Sequence, residues 1–380
     1  MKKIVIIGAN YFQNPLILKA KEMGYETHVF AWKDGSIGER TADYFYPISI
    51  VEKEQILEKC KEIKPDAVVT IASDLANITV QFLAEKLELP CNSSESISIS
   101  TNKYAMRDAF SVNNVPSPKY VKATVGDDYE RLVKEMQFPL IVKPTDRSGS
   151  RGITKVSELS QIPEAVERSV EDSFEKFAII EEYIEGEEYS CECISYMGEH
   201  HILAVTKKYT TGNPHYIETA HLEPAPLEEC IYKKIYETIP QALNALQIEN
   251  GASHSEFKVT PEGAIRIIEI GSRMGGDCIG SDLVYLSTGY DFMKMVIETA
   301  LGQKPSMIQE HELKYAGIKF IFNKEDYDLY TKVKEEYPEI IHYVSEIEEI
   351  GSRDVVDSSS RFGYFIVCAN EEQEIRWILE

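Results

Sequence analysis

At 380 residues the chain has the length of two or three domains, enough to bury a sizeable core without disulfides or a structural metal. Hydrophobic residues are 43% and charged residues 27%, with 21 Gly and 16 Pro, which excludes a disordered, fibrous or repeat-built chain. A net charge of −23 argues against nucleic-acid polymers and anionic membrane surfaces as partners.

The chain starts MKKIVIIGAN, where the apolar run of about four residues is shorter than the ~7–15 of a signal-peptide core. No stretch approaches the ~18 apolar residues of a membrane span. The seven cysteines are odd in number and scattered, so reduced thiols and a cytoplasmic setting are expected. Residues 3–7 (KIVII) read as a buried strand, with a turn at Gly8-Ala9-Asn10. Asn14-Pro15 then serve as cap and first position of a helix running to about Met23. A strand Tyr25–Trp32, a helix Glu52–Ile63, a strand Asp66–Ala72 and a helix Leu75–Leu87 complete a β-α-β-α-β order. That order predicts a parallel sheet covered on both faces, with right-handed crossovers.

Beyond residue 95 the texture changes. CNSSESISIS reads as a polar connection, and TNKYAMRDAFSVNNVPSP as a helix ended by Pro116 and Pro118. A strand (Lys119–Ala123), a helix (Asp127–Met136), a strand (Pro139–Pro144), a Gly/Ser loop, a short strand, a helix (Gln161–Phe174) and a strand (Ala178–Glu182) follow. After Gly186, EEYSCECISY and HILAVTKKY form a predicted hairpin around MGEH, with His200 and His201 solvated in its turn. Cys191 and Cys193 then face one side of a strand. No second Cys or His pair at metal spacing accompanies them, so buried thiols are expected rather than zinc. A helix near Leu227–Leu246 precedes a second hairpin, SHSEFKVTPEGAIRIIEI, turning at Thr260–Gly263, and a helix Tyr290–Leu301 follows. Residues 309–380 read as a small α+β appendage whose 17 acidic and 8 basic residues make it the most acidic part of the chain.

Two phosphate-binding patterns are missing. GANYFQ has one glycine where the dinucleotide fingerprint G-x-G-x-x-G needs three, with Asn10 and Gln13 in the other places, and the P-loop pattern does not occur. Three other stretches carry chemistry. In FPLIVKPTDRSGSRGITKV a buried strand delivers Lys143, and Ser148, Gly149, Ser150, Arg151 and Gly152 supply N–H groups, hydroxyls and a guanidinium suited to an anion. In IIEEYIEGEEYS a strand runs into dense glutamates, where the backbone at a hinge could serve an adenine and Glu188 a ribose. In the third, Glu256 and Glu269 lie on the two strands of a hairpin, six residues before and seven after Glu262 in its turn. They can be neighbours pointing one way, and such a pair is costly unless a proton or cation lies between them. Oxygen ligands of this kind suit Mg²⁺, and Arg273 follows in a Gly-rich turn.

The order Lys103 in TNKYAMRDAF, Lys143 in LIVKP, SGSRG, EEYIEGEEYS and HSEF…IIEIGSRMGGD resembles the ATP-grasp superfamily over about residues 1–305. The H-x-E ahead of E-x-x-x-R-x-G-G-D, and TKKYTTGNPHYIETAHLEPAPL, resemble its amino-acid ligases and related carboxylate–amine ligases. The resemblance implies an α/β chain, α+β in its nucleotide part. A Rossmann-like parallel-sheet domain (1–95) would be followed by the linker helices and smaller, lid-like ATP-grasp subdomain (96–185). The larger subdomain with the metal site (186–308) and a C-terminal α+β appendage (309–380) would complete it. It implies ATP and Mg²⁺, with Mn²⁺ as a substitute, and small carboxylate and amine substrates; a homodimer is compatible with it.

By the same resemblance, Lys103 and Lys143 would contact the phosphates, and Ser148, Gly149, Ser150 and Gly152 would close over them. Glu181, with the backbone of Glu182, Tyr183 and Ile184, would hold the adenine, and Glu188 the ribose. Glu256 and Glu269 would bind metal, Arg273 would steady the γ-phosphate or acyl phosphate, and His254 would face the acceptor. Either Lys207 or Lys208 would add a phosphate contact. The family's third metal ligand, an Asn, is replaced here by Gly271. The implied activity is ATP-dependent joining of a carboxylate to an amine through an acyl phosphate. The competing readings are a carboxylase or carbamoyl-phosphate-type enzyme acting on bicarbonate, and a non-catalytic nucleotide-binding regulator.

Overall fold

Strands β1 (Lys3–Ile7), β2 (Glu26–Phe30), β3 (Tyr44–Tyr46) and β4 (Ala67–Val69) form a parallel sheet in the order β3-β2-β1-β4. Alternation along β1 fills both faces: Ile4 and Ile6 pack with Leu16 and Ile17, while Val5 and Ile7 pack with Ile56 and Leu83. β3 is an edge strand of three residues that the sequence pattern does not reveal. Gln13, not Asn14, occupies the cap of the first helix, Asn14–Glu22. β4 is shorter than its apolar run because the chain leaves the ladder after Val69. It passes through Ala72 in a left-handed conformation (φ 59°) to Ser73, whose side chain caps the helix Asp74–Lys86. Asp74 is thereby set at a helix start that faces the rest of the molecule.

The computed structural model describes residues 1–147, 152–212 and 216–380, so Ser148, Gly149, Ser150 and Arg151 of the predicted anion loop lie outside the described residues. Strands β5 (Tyr120–Ala123), β6 (Leu140–Pro144), β7 (Thr154–Val156) and β8 (Ala178–Glu182) form an antiparallel sheet in the order β5-β8-β6-β7. The helix Ile162–Asp172 covers it, with Ala165 and Val166 on Leu140, Val142 and Ile180. Ahead of it stand two helices, Ser94–Thr101 and Lys103–Val112. The first was expected as a polar connection; Ser93 caps it at Ser96 N–H (3.0 Å), and Ile97 and Ser100 are buried. Serines at a cap and on a packed face do not show as apolar periodicity.

The largest sheet is antiparallel throughout and contains β9 (Glu187–Tyr196), β10 (Glu199–Thr210), β11 (Glu218–Glu223), β12 (Gly251–Val259), β13 (Ile265–Gly271), β14 (Tyr315–Ile321), β15 (Ile341–Val344) and β16 (Gly363–Ala369). Its order is β13-β12-β9-β10-β11-β14-β16-β15, so the strands of residues 309–380 continue it through β11. One face is apolar: Tyr189, Cys191, Cys193, Val205, Phe257 and Ile267 pack under Ile235, Ile239 and Leu243 of the helix Glu229–Ala245. Cys191 and Cys193 are the buried thiols expected of that face. His200 and His201 lie in β10 rather than in the turn, which Met197 and Gly198 make with positive φ; His200 Nδ1 pairs with Ser195 Oγ at 2.8 Å. Among the described residues no helix is long and apolar enough to cross a membrane.

Gly186 joins the four-stranded antiparallel sheet to the large one. Its φ is +140°, and a Cβ there would stand 2.2 Å from the Val259 carbonyl oxygen, a backbone atom that cannot swing away. Gly198, also at positive φ (+79°), faces open space. Gly186→Ala is expected to lower stability by about 3 kcal/mol, and Gly198→Ala by about 1 kcal/mol, read as shifts of the urea midpoint at constant slope.

Candidate active site

The face of the large sheet opposite the thiols is charged. Residues two apart on a strand share a face, so His254, Glu256 and Lys258 of β12 stand together, as do Glu188 and Glu192 of β9. Register matches them across strands: Glu256 opposes Glu269, His254 opposes Gly271 and Glu192, and Lys258 opposes Glu188. This is the carboxylate pair expected from the hairpin. Lys208 of β10 points to the same face, with Nζ 2.6 Å from Glu256, 3.3 Å from Glu188 and 3.5 Å from Glu218. Lys207, one residue earlier, points away and pairs with Glu187 at 2.8 Å. The alternation of β10 thus decides which lysine faces the cavity. Burial disfavours charge on Lys208, but Glu256, Glu188 and Glu218 outweigh it and hold the ammonium well above its ordinary pKa. For Glu256 burial likewise opposes ionisation, and Lys208 then His254 overcome it, so the carboxylate stays ionised.

Above this face lies a cavity of about 430 Å³. Of the predicted site residues that the structure describes, all but Gly152 line it. Gly152 instead lies where an added Cβ would stand 2.9 Å from Pro144, and its carbonyl accepts a hydrogen bond from Ser169 Oγ (2.8 Å). Lys103, first residue of its helix, reaches Glu269 Oε1 (2.7 Å) and the Arg147 carbonyl (2.6 Å). Each carboxylate of the opposed pair therefore has its own ammonium. On the opposite wall Lys143 of β6 is 2.7 Å from Glu181 of β8, whose other oxygen is 2.7 Å from Arg107 Nε. Burial lowers the Lys143 pKa, with Glu181 opposing and Arg107 adding to the effect. The Glu181 side chain, expected with the backbone of Glu182 to Ile184 to hold an adenine, is thus engaged by two cations. Glu182 and Tyr183 donate their N–H groups to the carbonyls of Lys119 and Pro139 (both 3.0 Å). Tyr183 lies under the ammonium groups of Lys155 (3.6 Å to the ring centroid) and Lys258 (4.7 Å).

His254 Nδ1 is hydrogen-bonded to Glu192, and its Nε2 is 3.4 Å from Glu256. Burial works against the imidazolium, but Glu192 and then Glu256 prevail and raise its pKa to about 9. Glu192 also accepts the Gly275 N–H (2.9 Å), and a Cβ on Gly275 would stand 2.7 Å from both Glu192 and His254, so this turn needs glycine. Arg273 is paired with Asp74, Nε to Oδ1 at 2.8 Å and Nη2 to Oδ2 at 3.0 Å.

The donor set suits a hard divalent cation: Glu256 and Glu269 offer opposed oxygens that ammonium ions already compensate. Among the described residues no cluster of three or more His, Cys, Asp or Glu side chains is placed to hold a metal.

Arg107, Glu192 and Asp74 were not anticipated. Arg107 could have been found, since it follows Lys103 by four residues on one helix face. Glu192 could as well, as an acid between two cysteines of a strand whose neighbours alternate. Asp74 gives no local signal, because its partner lies 199 residues away.

Behind the site Glu223 is fully buried and accepts hydrogen bonds from Ser287 and Thr206 (both 2.6 Å). Burial raises its pKa to about 7; the two hydroxyls oppose the shift and Glu192 adds to it. An acid whose folded pKa lies above its unfolded one binds more protons when folded. Its contribution is therefore most favourable below pH ~4.5 and is lost as pH rises to ~7. Glu223→Gln is expected to gain up to about 3 kcal/mol on wild type between these limits, measured by urea unfolding at pH 5, 6 and 8.

A family model described as the ATP-grasp domain matches residues 136–281. The chain is 29% identical over 246 residues to the alanine–anticapsin ligase of Bacillus subtilis (strain 168), covering 59% of this chain and 51% of that protein. It is 23% identical over 249 residues to the D-alanine–D-alanine ligase of Ralstonia nicotianae, covering 62% and 74% respectively. The chain thus spans about half the length of the first of these relatives. In fold it is similar to the crystal structure of an L-amino acid ligase from Bacillus licheniformis, with a TM-score of 0.84 at 22% identity over all of this chain and 96% of that one. Residues 136–281 thus match the ATP-grasp domain, and the whole chain shares the fold of that ligase.

Proposed function

We propose that the chain is an ATP-dependent carboxylate–amine ligase that activates a small carboxylate, releases ADP and joins the acyl group to an amino acid. The observation that carries this reading is the opposed pair Glu256 and Glu269, each compensated by a lysine of the same cavity. Lys103, Lys143 and Lys208 would neutralise the triphosphate, as phosphoryl transfer requires. Arg107 and Glu181 would hold Lys143 in place rather than touch ligand. The adenine would meet the hinge at Glu182–Ile184, where the Ile184 N–H follows two donors already engaged, and Glu188 would take the ribose hydroxyls. Residues 96–185, with the anion loop, would form the lid that keeps water from a labile acyl phosphate.

Glu256 and Glu269 would hold Mg²⁺, which when bound supplies charge compensation for the β- and γ-phosphates. Arg273 would orient the transferred phosphoryl group. His254, kept protonated by Glu192, would face the acceptor's carboxylate. Each group positions or neutralises an anion, and none acts as a covalent nucleophile.

Glu269→Ala is expected to abolish substrate-dependent ADP formation while leaving the circular dichroism spectrum unchanged; wild-type turnover in that variant would remove the metal assignment. Lys208→Met is expected to weaken Mg-ADP binding at least about tenfold, and Lys207→Met less than about twofold, by calorimetry. Phosphate release with Mg-ATP across a matrix of amino acids, small carboxylates and bicarbonate decides the substrate class. Release with bicarbonate alone selects the carboxylase reading, and tight ATP binding without release selects the regulator.

A further inference from the structure

The Arg273–Asp74 pair joins two parts of the chain that are distant in sequence. Asp74 is the first residue of its helix, held by the Ser73 cap. The neighbouring Ala72 N–H donates to the Met274 carbonyl (3.2 Å), and Asn77 Nδ2 donates to the Ser272 carbonyl (2.9 Å). The helix start is therefore docked on the turn Ser272–Met274 on both sides of the arginine. Asp74 takes the Nε–Nη2 edge of the guanidinium with both its oxygens. Nη1 makes only a long contact to the Met274 carbonyl (3.4 Å). A guanidinium has five donors in a rigid plane, so engaging one edge leaves the Nη1–Nη2 edge for a second oxyanion. Arg273 and Asp74 both line the cavity. Burial disfavours the charges, but each partner holds the other ionised.

Gly271 belongs to the same construction. A Cβ at this position would stand 3.0 Å from Asp74 Oδ1 and 3.1 Å from Arg273 Cζ. The backbone is extended there, so the glycine is set by this close approach rather than by its own conformation. The place where the resemblance implied a metal-ligating Asn is filled by a carboxylate from the N-terminal sheet domain.

We propose that Asp74 is a positioning residue for the phosphoryl group: it fixes the side edge of Arg273 so that the end edge meets the terminal phosphate of ATP, and Gly271 makes room for it. The inference rests on the ATP-dependent reading given above. The N-terminal domain thereby takes part in phosphoryl recognition through the arginine it holds, and the arginine is oriented before ligand arrives.

The test is equilibrium binding of Mg-ADP and of the non-hydrolysable Mg-AMP-PNP to the whole chain by calorimetry, the readout being the ratio of the two affinities. Asp74→Asn is expected to lower the preference for the triphosphate about tenfold while Mg-ADP binding changes less than about twofold, since loss of a positioning partner costs 10–100-fold at other ligand sites. Gly271→Ala leaves Asp74 chemically intact and is expected to lower the same ratio. In an Arg273→Gln background Asp74→Asn should have no further effect on it, because the arginine carries the coupling. An unchanged ratio in Asp74→Asn, or an additive loss in the double variant, overturns the proposal. Failure of wild type to bind either nucleotide would instead overturn the functional reading. Thermal melts of each variant separate a loss of fold from a loss of preference, and a poorly folded Asp74→Asn leaves Gly271→Ala to decide.

Discussion

Two carboxylates opposed on neighbouring strands of a half-buried sheet repel each other, on the order of 4 kcal/mol for charges about 4 Å apart at an effective dielectric of about 20. Glu256 and Glu269 are in that position, and much of the surrounding structure answers it. Lys208 reaches one of them from β10, and Lys103 reaches the other from the start of a helix outside the sheet. Neither lysine would be stable in its place alone, since both are nearly buried. The compensation extends outward through two further pairs, His254 with Glu192 and Arg273 with Asp74. The result is a wall whose charges are balanced within it, in a molecule whose net charge is −23. The overall charge therefore says little about the cavity, where positive groups gather among acids.

The sheet that carries this wall supports it by being different on its two faces. Period-two alternation sends Cys191, Cys193 and Phe257 under the helix Glu229–Ala245, and Glu188, Glu192, His254 and Glu256 to the other side. Packing fixes register on the apolar face, and a slip of one residue would exchange the faces entirely. The precision of the charged face is thus set by apolar contacts that never touch it. A similar division holds in the smaller sheet, where Glu181 and Lys143 face the cavity and Ile180 and Val142 fill the core beneath.

This division explains what could be read from the sequence. The parallel sheet, both hairpins and the opposed carboxylates follow from local periodicity and turn residues, which do not need a partner elsewhere in the chain. Lys208 against Lys207 was undecidable from composition alone, since the choice depends on the register of β10 against β9 and β11. The helix Ser94–Thr101 was missed because caps and packed serines carry little hydrophobic pattern. The place of Glu181 at the hinge is legible, whereas the Arg107 that engages its side chain comes from another helix. Asp74 was missed for the same reason on a larger scale. Local signals place backbone well; they place a charged side chain only when its partner is nearby in sequence.

The ammonium groups that neutralise the carboxylates have a consequence for how ligands would enter. On the proposed reading the same Lys103 and Lys208 that stand on Glu269 and Glu256 are needed by the phosphates. A divalent cation arriving alone would meet carboxylates already paired, and a triphosphate arriving alone would draw the lysines away and expose the carboxylates to each other. With both present, Glu256 and Glu269 would hold the cation and Lys103 and Lys208 would be free to meet the phosphate oxygens. Each ligand would then strengthen the other's binding, with a coupling that linkage makes equal in both directions. On that reading, the cost of opposing Glu256 to Glu269 would make the pair selective for a metal–nucleotide complex over either component.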